Sequence, residues 1–137
     1  MKDFDIFASD LRDIDFSKSK IINTINPHSY CVAKNDSQFG KAIKESDILL
    51  PDGIGIVFAQ NFLYGTKIRK IAGFDLFVFL MNKLNNSNGS VFFLGSTSKT
   101  LERIALKSSI DFPNVSVSSF SPPFKDVFSK QDSKLMV

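Results

Sequence analysis

A chain of 137 residues, 43% apolar and 23% charged, has the length of one compact domain and the composition of a folded globular protein, which excludes wholesale disorder. The net charge of +3 is too small to point to nucleic acid, and one cysteine and one histidine exclude an internal disulfide, a multi-cysteine zinc site and any site needing two histidines. The acidic N-terminus lacks the apolar stretch of a signal peptide, and the longest apolar run, residues 76–81, is far below the roughly 20 residues that span a bilayer, so a cytoplasmic protein is expected.

Residues 1–20 read as a polar segment in which Ile6, Phe7, Leu11, Ile14 and Phe16 make a short strand and a turn. Residues 21–25 are β-branched and read as a strand, ended by Asn26-Pro27. A short helix follows over residues 28–34, then a second capped by Asn35 or Asp36, with Phe39, Ala42 and Ile43 on one buried stripe. Residues 47–50 are a buried strand closed by the turn Pro51-Asp52-Gly53, and residues 54–63 are helical. A basic connector over residues 65–72 leads to a helix over residues 74–85 that is apolar nearly all round and therefore expected to be buried. Residues 90–94 form a strong strand. The turn at residues 95–98 leads to a helix with Leu101, Ile104, Ala105 and Ser108 inward, and Val115 and Val117 begin a further strand. Strands alternating with helices of about ten residues predict an α/β, Rossmann-like fold: a mainly parallel sheet with helices on both faces, incomplete at the C-terminus.

In such sheets ligands sit at the carboxyl ends of the strands. Three turns share that rim: residues 24–27, residues 51–53 and residues 95–97. Asp52 follows a buried run, and a carboxylate there can take a proton from a substrate hydroxyl; spacing alone favours plain turn chemistry for Pro-Asp-Gly. Gly95 and Ser96 join a strand to a helix, whose first N–H groups can hold phosphate, although the residues alone favour a plain tight turn. Lys67, Arg69 and Lys70 bring positive charge beside that anion site, or a solvated loop face. Asp3-Phe4-Asp5 and Asp13-Ile14-Asp15 have the Asp-x-Asp form of metal-dependent sugar transfer but lie in a polar stretch, and no metal site is assigned to them. His28 has no partner at ligand spacing, and Cys31 is expected in the core.

Taken in order, Thr24-Ile25-Asn26-Pro27, Asp47-Ile48-Leu49-Leu50-Pro51-Asp52-Gly53-Ile54-Gly55, Lys70-Ile71-Ala72-Gly73-Phe74-Asp75-Leu76 and Val91-Phe92-Phe93-Leu94-Gly95-Ser96 resemble the WecG/TagA/CpsF glycosyltransferases, family 26. The resemblance covers residues 21–124, between a polar segment, residues 1–20, and an irregular tail, residues 125–137. It implies an inverting transfer of an N-acetylmannosamine-type sugar from a UDP donor to N-acetylglucosamine on a polyprenyl diphosphate, in bacterial surface-polysaccharide or teichoic acid synthesis. It implies no cofactor, no nucleic acid, and a peripheral place at the inner face of the membrane; an exposed sheet edge leaves room for an oligomer.

Carried onto this sequence, the family's general base falls on Asp52, and its Thr-x-Asn motif, near the acceptor or reacting sugar, on Thr24 and Asn26. The arginine that precedes Gly-x-Asp-Leu in the family is Lys70 here, which keeps the charge but not the planar two-point grip on a diphosphate; either Lys70 or neighbouring Arg69 serves. Gly95 and Ser96 line the nucleotide rim, and Asp75 positions the helix that follows it. The family's later Gly-x-Pro-x-Gln-Glu-type segment is not in this sequence. That predicts a C-terminally truncated member, with an inactive remnant that only binds a nucleotide sugar or a partner chain as the alternative.

Overall fold

The computed structural model describes residues 3–125 and 127–136; residues 1–2 of the expected N-terminal segment and residues 126 and 137 of the expected tail lie outside them. Two compact units divide the chain, Met1–Val78 and Phe79–Val137. Each contains one parallel pair of strands, and their β-α-β connections have the mixed, parallel character of a Rossmann-like α/β fold.

In the first unit β1 (Ile22–Ile25) lies parallel to β2 (Ile48–Pro51), with Thr24 opposite Leu50 and Ile25 opposite Pro51. Parallel strands need a long crossover, here α1 (Pro27–Asn35) and α2 (Ser37–Lys44). Asn26 ends the strand and starts α1. Its side-chain oxygen accepts the Ser29 N–H at 2.9 Å, and Ser29 Oγ accepts the Asn26 N–H at 2.9 Å, a reciprocal cap with Pro27 in the first turn. Asp36 caps α2 by accepting the N–H groups of Gln38 and Phe39, both at 2.9 Å. α1 and α2 approach so closely that a Cβ on Gly40 would stand 2.5 Å from the Ala33 carbonyl oxygen. β2 is buried on both faces, the mark of a covered parallel strand. The core gathers Phe4, Ile25, Ile43, Leu49 and Ile56, with Tyr30 and Phe39 packed against it.

Three expectations change here. Ala42 is exposed, and the inward face of α2 is Gly40 and Ile43, because the close crossing with α1 selects the residue without a side chain. Cys31 is exposed, since α1 turns Tyr30 and Ala33 inward instead. Among the described residues before β1 there is a 3-10 turn, Leu11–Asp13, but no strand; one ladder-like bond, Phe7 N–H to the Leu49 carbonyl at 2.9 Å, attaches this stretch to β2.

α3 (Ile54–Tyr64) follows β2 and ends at Gly65, whose φ of 65° is the left-handed conformation of a helix stop. α4 (Gly73–Asn86) was expected to be buried; Met81 is its one buried residue among those described, and Phe74 is 70% exposed. An apolar circumference becomes a buried one only where a neighbouring layer covers every side.

The second unit is built on β3 (Ser90–Leu94), α5 (Ser98–Asp111) and β4 (Ser116–Phe120), with Ser90 opposite Ser116 and Leu94 opposite Phe120. Thr97 caps α5, and Leu101 and Ser108 are its buried residues. The irregular tail contains a short helix, α6 (Lys130–Met136). Ser129 N–H and Oγ donate to Asp132 Oδ2 at 2.9 and 2.7 Å, and Asp132 N–H donates to Ser129 Oγ at 3.1 Å. Ser-x-x-Asp is a capping box, so the signal for this helix stood in the sequence at residues 129–132.

Candidate active site

The carboxyl ends of β1 and β2 place Thr24, Asn26 and Asp52 together in the first unit. Asp52 N–H donates to the Ile25 carbonyl at 2.9 Å, which locks the residue after β2 against the end of β1. Gly53 follows with φ 145°, outside the range of ordinary L residues. A Cβ on Gly53 would meet Pro27 Cδ at 3.1 Å and Asn26 Cβ at 3.6 Å, and one on Gly55 would meet Pro27 Cγ at 3.0 Å. The two glycines of Pro-Asp-Gly-Ile-Gly thus let the turn into α3 nest on the first turn of α1, and bring Asp52 beside Asn26.

The Asp52 side chain is half-buried and has no hydrogen bond or ion pair among the described residues. A turn-forming aspartate bonds its own backbone a residue or two onward; Asp52 does not, and Gly53 supplies the turn. The carboxylate is left as an acceptor on the strand-end rim. Asn26 spends its amide oxygen on the α1 cap, while its amide nitrogen has no partner among the described residues. Thr24 is half-buried, and a Cβ on Gly73 would approach its methyl carbon at 3.7 Å, so the start of α4 borders the same rim.

The basic connector is anchored at both ends. Asn61 of α3 accepts from Ile68 N–H at 2.9 Å and from Thr66 Oγ1 at 3.0 Å, and donates through Nδ2 to the Ile68 carbonyl at 3.1 Å. Ile71 N–H donates to the Pro51 carbonyl at 3.0 Å. Arg69 and Lys70, both exposed, are carried between these anchors to the end of β2. Arg69 also acts on Asp10, whose pKa is held down to about 2 mainly by its hydrogen bond with the Arg12 guanidinium. Asp75 accepts the Ala72 N–H at 2.7 Å and so fastens the start of α4, the positioning role expected of it.

Asn61 was missed by sequence reasoning. Its partners lie beyond a helix end, and an asparagine seven residues before Ile68 carries no periodic signal. Three of the four aspartates in the two Asp-x-Asp segments have structural partners: Asp3 pairs with Lys34, Asp13 holds the Asp10 N–H, and Asp15 holds Ser17. His28 is exposed in the first turn of α1.

Gly95 and Ser96 belong to the second unit, at the end of β3. Gly95 N–H donates to the Phe120 carbonyl at 3.0 Å, and Ser121 Oγ to the Ser96 carbonyl at 2.7 Å. Ser96 has φ 62°, a left-handed conformation uncommon outside glycine. An open cavity of about 460 Å³ lies beside this corner, lined by Ser98, Leu101, Glu102 and Ala105 of α5 and by residues 119–121. Its walls do not include Gly95 or Ser96, and Glu102 adds negative charge to it.

The model of the WecG/TagA/CpsF glycosyl transferase family matches residues 5–137. The chain belongs to that family. The match extends on both sides of residues 21–124, which carried the resemblance. Two relatives, from Bacillus subtilis (strain 168) and Bacillus spizizenii (strain ATCC 23059 / NRRL B-14472 / W23), are 28% and 29% identical over 108 residues. Each is named N-acetylglucosaminyldiphosphoundecaprenol N-acetyl-beta-D-mannosaminyltransferase. The shared stretch is 79% of this chain and 42% of each relative, so this WecG/TagA/CpsF chain spans less than half of their length. Among the described residues no helix is long and apolar enough to cross a membrane.

Proposed function

We propose that this chain carries the acceptor-activating half of an inverting glycosyl transfer, moving an N-acetylmannosamine-type sugar from a UDP donor to N-acetylglucosamine on a polyprenyl diphosphate. The observation that carries the proposal is the unpartnered, half-buried carboxylate of Asp52 beside Asn26. In the transfer, Asp52 removes the proton of the acceptor hydroxyl as that oxygen bonds to the anomeric carbon. The bond from that carbon to the UDP oxygen breaks on the opposite face, and its electron pair leaves with the diphosphate. Attack opposite the leaving group inverts the centre. Thr24 and the amide nitrogen of Asn26 orient the sugar.

Lys70, with Arg69, offsets negative charge that grows on the departing diphosphate, an interaction that strengthens as the reaction proceeds. Gly95 and Ser96 serve the nucleotide. A lipid-linked acceptor places the protein peripherally at the inner face of the membrane. In a transfer assay with a labelled UDP-sugar, Asp52→Asn is expected to lower the rate about 10²–10⁴-fold, the usual share of a general base, with an unchanged circular dichroism spectrum. A variant that transfers at near the parent rate removes Asp52 from the role.

The alternative reading is an inactive remnant that only binds a nucleotide sugar or a partner chain. Turnover of the labelled donor by the 137-residue chain excludes it.

A further inference from the structure

α3 contains no charged residue. Its inward side is Ile56, Val57 and Gln60, all buried. Its outward side is a ridge at helical spacing, Ile54, Phe58 and Phe62, which are 75%, 67% and 75% exposed. The two phenylalanine rings stack 5.7 Å apart at 7°, making one apolar surface, and Leu63, 61% exposed, adjoins it. Single exposed apolar residues are ordinary, whereas a contiguous ridge marks an interaction surface.

Charge and chemistry indicate what covers it. The connector after α3 exposes Lys67, Arg69 and Lys70; Asn61 ties residues 66–68 to the helix, so Lys67 borders the C-terminal end of the ridge, while Arg69 and Lys70 run on toward the end of β2, where α3 begins. Apolar rings bordered by lysine and arginine complement an anionic bilayer: the rings enter the acyl boundary and the cations meet the headgroups. The side chains of Ile54, Phe58, Phe62 and Leu63 offer no hydrogen-bonding group, whereas protein interfaces rely on about one hydrogen bond per 100–200 Å². The ridge begins at Ile54, two positions after Asp52.

We propose that the outward ridge of α3, with the basic connector, docks on an anionic lipid surface. The proposal deepens the reading of a lipid-linked acceptor, since it sets the candidate base at the edge of the bilayer that would hold the acceptor's tail.

The chain has no tryptophan, so Phe62→Trp makes a sole reporter. With phosphatidylglycerol vesicles its emission is expected to shift to the blue and the chain to sediment with the lipid; with pure phosphatidylcholine both effects are expected to weaken. Phe58→Ser/Phe62→Ser is expected to bind phosphatidylglycerol vesicles at least about tenfold more weakly, with an unchanged circular dichroism spectrum. Unshifted emission of Phe62→Trp on addition of vesicles, or equal sedimentation of the double variant, overturns the proposal. A blue shift that follows protein concentration without lipid, with a dimer mass that the double variant abolishes, assigns the ridge to a second copy and overturns it too. Vesicle binding uses no sugar: its loss leaves the Asp52 assignment standing, and an inactive chain that still binds vesicles leaves the ridge standing.

Discussion

Asn26 uses the two ends of one carboxamide differently. Its oxygen holds Ser29 N–H at the head of α1, and its nitrogen has no partner among the described residues. Asn26→Asp keeps a good cap, because aspartate and asparagine cap equally well, but sets a second negative charge beside Asp52. We expect its thermal midpoint to stay near the parent value while sugar transfer falls. Asn26→Ala loses the cap and is expected to cost about 1 kcal/mol in urea unfolding. An Asn26→Asp chain that transfers normally would separate the cap from the chemistry. At this scale the sequence was partly readable. The Pro-Asp-Gly-Ile-Gly pattern singled out Asp52 as a candidate, but spacing does not say whether a carboxylate bonds its own turn, and here it does not. Asn61 was invisible because its three bonds depend on where a helix end meets a later connector.

Among the elements, α6 hangs on one carboxylate. Lys125 Nζ donates to Asp132 at 2.9 and 3.0 Å, and Ser129 adds two further bonds. These, with Lys125 the largest influence, hold the Asp132 pKa down from 3.8 to about 2. A carboxylate depressed in the folded state stabilises it fully above its unfolded pKa and loses that contribution as pH falls through the folded value. The cap of α6 is therefore expected to persist at pH 5 and to be lost between about pH 4 and pH 2, read as faster amide exchange over residues 130–136. Exchange that is unchanged at pH 2 would show that the helix stands without its cap. The strands and longer helices were legible because each had a β-branched run or an apolar stripe closed by a capping or turn residue. The faces were less so: Ala42, Cys31 and the flank of α4 fit the apolar pattern, yet lie exposed or only partly covered, because burial is set by the neighbouring layer.

For the molecule as a whole, the parallel character was readable from the alternation of strands and helices, while the division into units at Val78 and Phe79 was not, since it falls inside one continuous helical pattern. The first unit's core depends on few residues. Ile25 is fully buried between the two turns that carry Asn26 and Asp52, and its own carbonyl receives the Asp52 N–H. Ile25→Ala is expected to destabilise the chain by about 2–5 kcal/mol, the usual range for a large aliphatic removed from a core, measured by urea unfolding followed by circular dichroism. A shift below about 1 kcal/mol would mean that the strand pair tolerates a hole at its centre.

The lone thiol has a practical consequence. Cys31 projects from α1, the helix that Asn26 initiates, and it is both exposed and the sole cysteine of the chain. A maleimide dye or nitroxide therefore attaches at one known place on the unmutated polypeptide, where an approaching sugar or vesicle can be followed by quenching or by paramagnetic broadening.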